Sequence, residues 1–310
     1  QIEYAYYYLF LSSLNLYHHD TEYFFDTFVS KFPFSNKKEE AFFFMSDYLF
    51  EKKSYKEVVN LLTAINLYQI EHYNRAKAFF YLGYSSYKIK NYDLAKNSFY
   101  ELINSENSLY REDAVFFNSQ ILVSEEDSYA ALLGLQELTD SKKYSKEVPY
   151  YIAKILFDFG DYEKVINYLT PILDFHFLNY YEDILLFQAK SCYQLERYDA
   201  AIVYYEEYKE LKNNILTRED LYEVGMSYYQ KGLYGFAISY LNKILFNHYD
   251  KISQYAFYYL GDSYRRIENR PEAMNAFKSA SLLDVDSLIQ HDAFYQFAML
   301  CYDQPNSLCN

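Results

Sequence analysis

The sequence predicts an all-α chain of stacked helical hairpins, and three observations predict it. Only 7 Gly and 5 Pro occur in 310 residues, too few for the many turns of a β-rich chain of this length. Hydrophobic residues make up 51% of the chain, enough for a large core. One pattern of small and aromatic residues also returns about every 36 positions, the signature of a repeat architecture.

The pattern is clearest in two copies. Tyr81-Leu82-Gly83 is followed by Tyr87, Tyr92, Ala95 and Phe99, and Tyr259-Leu260-Gly261 by Tyr264, Ala273 and Phe277. The same register holds for Ala189, Tyr193, Tyr198, Ala201 and Tyr205, and for Gly225, Tyr229, Tyr234, Ala237 and Leu241. Degenerate copies start at Ala153 and Ser46, and weaker ones at Ser119 and Ser12. The small residue thus recurs at 12, 46, 83, 119, 153, 189, 225 and 261, in steps of 34, 37, 36, 34, 36, 36 and 36. Ala298, followed by Cys301 and Tyr302, opens a ninth unit with no second helix.

The local signals fit helical hairpins. Lys90-Asn91-Tyr92-Asp93, Phe159-Gly160-Asp161 and Lys231-Gly232 stand between the paired segments, where a C-terminal Gly or Asn ends the first helix. Pro271 is placed in the first turn of a second helix, where its missing N–H costs nothing. Thr217-Arg218-Glu219-Asp220 reads as an N-cap opening a first helix.

These residues resemble the tetratricopeptide repeat, whose unit of about 34 residues carries a Leu-Gly-x-x-Tyr then Ala-x-x-x-Phe pattern. The resemblance covers nearly the whole chain, departing from the family in having no Trp, few Pro at repeat ends and slightly long steps. It implies a single right-handed α-α superhelix of about eight hairpins. The repeats run roughly over 5–38, 39–75, 76–111, 112–145, 146–181, 182–217, 218–253 and 254–290, with a partial ninth at 291–310. In each unit the small residue lets helix A approach helix B, and the alanine twelve later is expected to be its small counterpart. One unit cannot bury its apolar face alone, so units stack. The Phe32-Pro33-Phe34-Ser35 ending and the tyrosine richness are also similar to envelope-associated repeat proteins of Bacteroidota-type bacteria. That second resemblance implies a bacterial protein of the periplasm or envelope in preference to the cytoplasm, and any targeting peptide would precede Gln1.

Charge and composition narrow the function. The formal net charge is −14; the first 155 residues carry 16 basic and 21 acidic side chains and the remainder 13 and 22. No basic stripe appears, so a nucleic-acid backbone is a poor partner, whereas a basic protein surface is well suited. No apolar run reaches the ~18 residues of a membrane span. The three cysteines, Cys192, Cys301 and Cys309, are too few for a disulfide framework, and none stands at metal-ligand spacing.

In the superhelix that the resemblance implies, helix A lines the concave face. Three residues before the small position stands a column of Leu9, Phe43, Phe80, Phe116, Tyr150, Leu186, Tyr222, Tyr258 and Tyr295. Four after it stands Leu16, Phe50, Tyr87, Val123, Phe157, Tyr193, Tyr229, Arg265 and Tyr302. Tyrosine offers contact area at low entropy cost with one polar handle. The expected partner-binding residues are Phe80, Tyr84, Tyr87, Tyr150, Lys154, Phe157, Tyr193, Tyr222, Tyr229, Tyr258, Arg265 and Arg266. The alternative reading of each ring is packing between helices. On the binding reading, replacing Tyr222 and Tyr229 by Ala weakens partner binding and leaves the array folded. The adjacent arginines could anchor a carboxylate, although a solvated pair is the simpler reading.

Motifs for chemistry are not found. No G-x-G-x-x-G, Walker loop or H-E-x-x-H occurs. His18-His19-Asp20 reads as a solvated turn, not a metal site, and Glu125-Glu126-Asp127 as another. Glu206, Glu207 and Glu210 read as the polar face of a second helix. No cofactor is implied. The expectation is a non-enzymatic scaffold or adaptor that holds a protein or peptide segment in an aromatic groove. The alternatives are a structural arm of a larger envelope or secretion assembly, contacting through its edges or ends, and a module that binds glycans or small ligands.

Overall fold

The computed structural model describes residues 1–105, 108–173, 178–213, 215–244 and 249–303. Cys309 and the last seven positions of the expected ninth unit lie outside the described residues. Among the described residues the regular structure is helical throughout, with seventeen α-helices. The chain divides into two compact units, Gln1–Val148 and Pro149–Asn310.

The N-terminal unit holds four hairpins: α1 (Ile2–Asn15) with α2 (Thr21–Lys31), α3 (Lys38–Glu51) with α4 (Tyr55–Thr63), α5 (His72–Lys88) with α6 (Tyr92–Ile103), and α7 (Arg111–Ser124) with α8 (Ser128–Glu137). In the C-terminal unit α9 (Val148–Asp158) pairs with α10 (Tyr162–Leu169), α11 (Tyr181–Gln194) with α12 (Tyr198–Leu211), α13 (Arg218–Gln230) with α14 (Tyr234–Leu241), and α15 (Lys251–Arg266) with α16 (Arg270–Ser281). The last helix among the described residues, α17 (Ser287–Asp303), packs on α16 through Ala293, Phe297 and Leu300.

One turn design joins seven of the hairpins. The residue seven beyond the small position is left-handed: Lys53, Lys90, Glu126, Gly160, Glu196, Gly232 and Glu268 all have positive φ. The next N–H then reaches back to the carbonyl of the last helical turn, as in Asn91 to Ser86 (2.8 Å), Arg197 to Cys192 (2.8 Å) and Asn269 to Tyr264 (2.9 Å). This is the Schellman arrangement, and it consumes carbonyls that the helix end leaves open. Glycine serves it at only two of the seven turns. At Lys90-Asn91 the lysine takes the left-handed position, while Asn91 starts the next helix by accepting from Leu94 N (3.4 Å).

The first hairpin departs from the expected register. Tyr17 is its left-handed residue, which makes Phe10 the counterpart of Gly83 on α1. Helix α2, however, starts nine residues after Ser12, as α6 starts nine after Gly83. The turn is two residues longer than the others, and Thr21 closes it by donating its hydroxyl to the carbonyls of Ser13 (3.1 Å) and His18 (2.7 Å). Ser12 is therefore exposed while Phe10 and Ser13 are buried, and the column members Leu9 and Leu16 are exposed.

The small residues do permit close helix approach, but the partner differs from the expected alanine. A Cβ built on Gly83 would lie 2.6 Å from the Phe99 ring, on Gly225 2.9 Å from Leu241, and on Gly261 2.7 Å from the Phe277 ring. The large residue sixteen positions on fills the space over the glycine. The residues twelve on, Val58, Ala95, Ala131, Val165, Ala201, Ala237 and Ala273, are all fully buried. Thr217 and Asp220 form the expected capping box, and Pro271 stands in the first turn of α16. Cys192 packs as a small apolar residue, and burial pushes its thiol up to about 11.

Candidate functional site: the helix-A faces

In the N-terminal unit, Phe80, Tyr84 and Tyr87 stand four and three residues apart on α5 and share one face. The structure brings them into a single ring cluster. Phe80 stacks on Tyr110 (centroids 4.8 Å apart, planes at 13°). Tyr84 meets Phe50 (5.5 Å), Tyr55 (5.8 Å) and Phe117 (4.9 Å). Tyr87 lies 5.4 Å from Phe117 and donates its hydroxyl to Gln120 Oε1 (2.9 Å). The Lys88 ammonium lies 5.0 Å from the Tyr84 ring centre and 5.6 Å from that of Tyr87, a cation–π cover on the outer side.

In the C-terminal unit the expected residues fall into two groups. On α9, Tyr150 packs on Tyr180 (4.7 Å) and Phe187 (6.0 Å), and Phe157 on Phe187 (5.3 Å) and Tyr162 (5.4 Å). Lys154 is half-buried between them in sequence. On α11, α13 and α15, Tyr193, Tyr222, Tyr229 and Tyr258 are all half-buried, and burial first of all pushes each phenol above its ordinary value. Tyr229 lies against Tyr259 (4.8 Å) and Tyr234 (5.8 Å) and donates to Asp262 Oδ2 (2.8 Å). Tyr258 donates to Asp292 and packs on Phe277 (5.7 Å).

Arg265 and Arg266 are exposed, but both guanidinium groups turn back to Asp262, Arg266 Nε at 3.3 Å from Oδ2. Burial alone would raise the Asp262 carboxyl; the bonds from Arg265, Tyr229 and Arg266 outweigh it and hold the group below the usual range. The pair is thus anchored rather than freely solvated.

A rule emerges that the columns only partly suggested. The ring four after the small residue meets the ring five further on in its own hairpin: Phe50–Tyr55, Tyr87–Tyr92, Phe157–Tyr162, Tyr193–Tyr198 and Tyr229–Tyr234, at 5.4–6.3 Å. Its other side packs on the next hairpin, as in Phe50–Tyr81 (4.0 Å), Tyr87–Phe117, Phe157–Phe187 and Tyr229–Tyr259. Inter-helix packing, the alternative reading of these rings, describes their position, with part of each ring left at the surface.

Tyrosine hydroxyls join neighbouring hairpins a second way, by donating to carboxylates about one repeat distant. Tyr17 donates to Glu51 (3.0 Å), Tyr255 to Asp286 (2.8 Å), Tyr81 to Asp47, Tyr144 to Asp113 and Tyr240 to Glu206. Glu206 also accepts from Tyr228 (2.8 Å) and Lys209, so it is a junction within the fold and not merely part of a polar face. In the sequence Asp113 is not singled out, and Glu206 is placed only on a polar face. The available signal was a carboxylate standing 31–34 residues from a tyrosine, which single-helix periodicity does not weigh.

Among the described residues one trio of potential metal ligands lies together: His18, His19 and Asp20. His18 Nδ1 accepts from Asp20 N (3.2 Å), so this donor atom already serves the long first turn. No helix among the described residues is long and apolar enough to cross a membrane.

No family model and no curated protein matches the chain. Solved structures do. The C-terminal part of a TPR repeat-containing protein of Cytophaga hutchinsonii is 17% identical, with a TM-score of 0.56, over 82% of this chain and 98% of that one. YrrB, described as a TPR protein with an unusual peptide-binding site, is 20% identical, with a TM-score of 0.51, over 65% of this chain and all of the other. At such identity the likeness is one of fold, that of stacked helical hairpins. The chain has the fold of tetratricopeptide-repeat proteins.

Proposed function

We propose that the protein is a non-catalytic scaffold that holds a protein or peptide segment against the outer faces of its A helices. The observation that carries this reading is the preorganised aromatic floor. In the N-terminal unit Tyr84 and Tyr87 lie under Lys88; in the C-terminal unit Tyr229, Asp262, Arg265 and Arg266 are bonded into one assembly. Rings and charges fixed before a ligand arrives lose little entropy on binding. YrrB, which shares the fold, is described as having an unusual peptide-binding site, which is in keeping with a peptide partner here. The net charge of −14 favours a partner whose surface is basic overall, and the two arginines would orient an acidic group within it.

Tyr222 and Tyr229 are poor probes, because both are packed against neighbouring helices. Lys88, Arg265 and Arg266 are exposed and report on binding with less effect on the core. The test starts with affinity purification from the native host, in soluble and envelope fractions, with mass spectrometry to identify the partner. Calorimetry then compares wild type with Lys88→Gln, Arg265→Gln and Arg266→Gln. A tenfold or larger loss in at least one variant with an unchanged melting temperature supports the reading. Wild-type affinity in all three removes it.

A further inference from the structure

Helix α17 carries an uncovered apolar face. Leu288 is 81% exposed, Phe294 62%, Tyr295 58%, Met299 43% and Tyr302 83%. His291 and Ala298 are exposed on the same side. Leu288, His291, Tyr295, Ala298 and Tyr302 follow one another at steps of 3, 4, 3 and 4, the spacing that makes a straight seam for a second helix. None of these seven side chains belongs to Asp, Glu, Lys or Arg, in a chain that is 23% charged. Ala298 is the counterpart of Gly261, which on α15 lies beneath the Phe277 ring. Among the described residues no such ring lies over Ala298, which is exposed.

We infer that this face pairs with the α17 of a second copy, the two helices running antiparallel across a twofold axis at Tyr295. Such pairing sets Leu288 opposite Tyr302 and brings His291 to within one residue, about 1.5 Å along the axis, of the level of Ala298, so a large side chain lies beside the smallest one at both flanking positions. A twofold contact must be self-complementary, and this seam meets that condition. Its area is adequate too. Taking about 200 Å² for each fully exposed large side chain, the five apolar residues offer roughly 650 Å² per copy. That exceeds the largest apolar patch of a typical monomer, ~300–600 Å². It approaches the ~800 Å² per partner of a standard stable interface. A seam without charged groups also lets two chains of −14 meet without opposing carboxylates at the centre.

Sedimentation equilibrium of the purified chain alone tests this, at roughly 1–100 μM, the range of moderate protein affinities. Wild type is expected to be a dimer at the upper end. Tyr295→Asp and Ala298→Arg are each expected to be monomeric with unchanged helix content and melting temperature, since both sites are exposed. A monomeric wild type at the highest concentration overturns the inference and leaves the face to another partner. Dimers that survive both substitutions overturn it as well. The seam takes in Tyr295 and Tyr302 of the aromatic columns, but neither result bears on the faces of α5 and α15 that carry Lys88, Arg265 and Arg266, because no other partner is present in the experiment.

Discussion

Alkaline pH should unfold this protein, and the buried tyrosines set the size of the effect. Tyr7, Tyr81 and Tyr144 in the N-terminal unit, and Tyr205 and Tyr228 in the C-terminal unit, are buried. Burial, followed by neighbouring carboxylates at Glu40, Asp47, Asp113, Glu223 and Glu206, pushes each phenol well above its ordinary value of 10.0. A raised folded value means that folding favours the neutral phenol. The stabilisation is therefore complete below the unfolded value and is lost as pH rises from there through the folded one. At pH 11 each unfolded phenol gains about 1.4 kcal/mol by ionising, so the five together remove roughly 7 kcal/mol. That is comparable with the ~5–15 kcal/mol that holds a typical domain. The half-buried Tyr193, Tyr222, Tyr229 and Tyr258 act in the same direction. The assay follows tyrosinate absorbance and far-ultraviolet circular dichroism on the same samples. Exposed phenols should titrate first with the helices intact, and a second absorbance rise should coincide with cooperative loss of helix. A smooth titration of all 41 tyrosines around pH 10 with undiminished helix would refute the reasoning.

Two further outcomes follow from the backbone and the close approaches. Gly261→Ala should lower stability by about 1–3 kcal/mol because its methyl group would press on the Phe277 ring. Gly235→Ala, on α14 with open space around it, should instead raise stability by up to ~1 kcal/mol; urea denaturation of both variants reads the opposite signs. Replacing the left-handed Lys90 or Glu268 by Gly should stabilise by about 0.5–1 kcal/mol, seen as a higher urea midpoint with unchanged slope.

The hairpins were legible in the sequence because the demands that make them are local. A crossing point excludes a side chain at Gly83, Gly225 and Gly261, and a capping box needs Thr217 three residues from Asp220. Such requirements leave a residue type at a fixed offset. The first hairpin was misread by two positions because Ser12 suits the register of α2, while the longer turn gives α1 a different register. Sequence spacing alone does not show that a turn has grown. The left-handed lysine and glutamates were equally hidden, because the neighbouring helices impose that conformation on residues that do not favour it.

The aromatic columns show where sequence ceases to decide. Their positions were readable, and half-burial was not. Whether Phe50, Tyr87, Phe157 and Tyr229 face solvent or a neighbouring helix depends on the distance between successive hairpins, which no single repeat encodes. The same holds for the bonds from Tyr81 to Asp47, from Tyr229 to Asp262 and from Tyr240 to Glu206. Each joins residues 33 or 34 positions apart, and only stacking brings them together. The sequence by itself determined that the chain is a run of helical hairpins with a tyrosine-rich face. Tertiary structure decided that many of those tyrosines bind hairpin to hairpin and that Lys88, Arg265 and Arg266 stay exposed beside them, because burial and hydrogen-bond partnership are properties of packed helices.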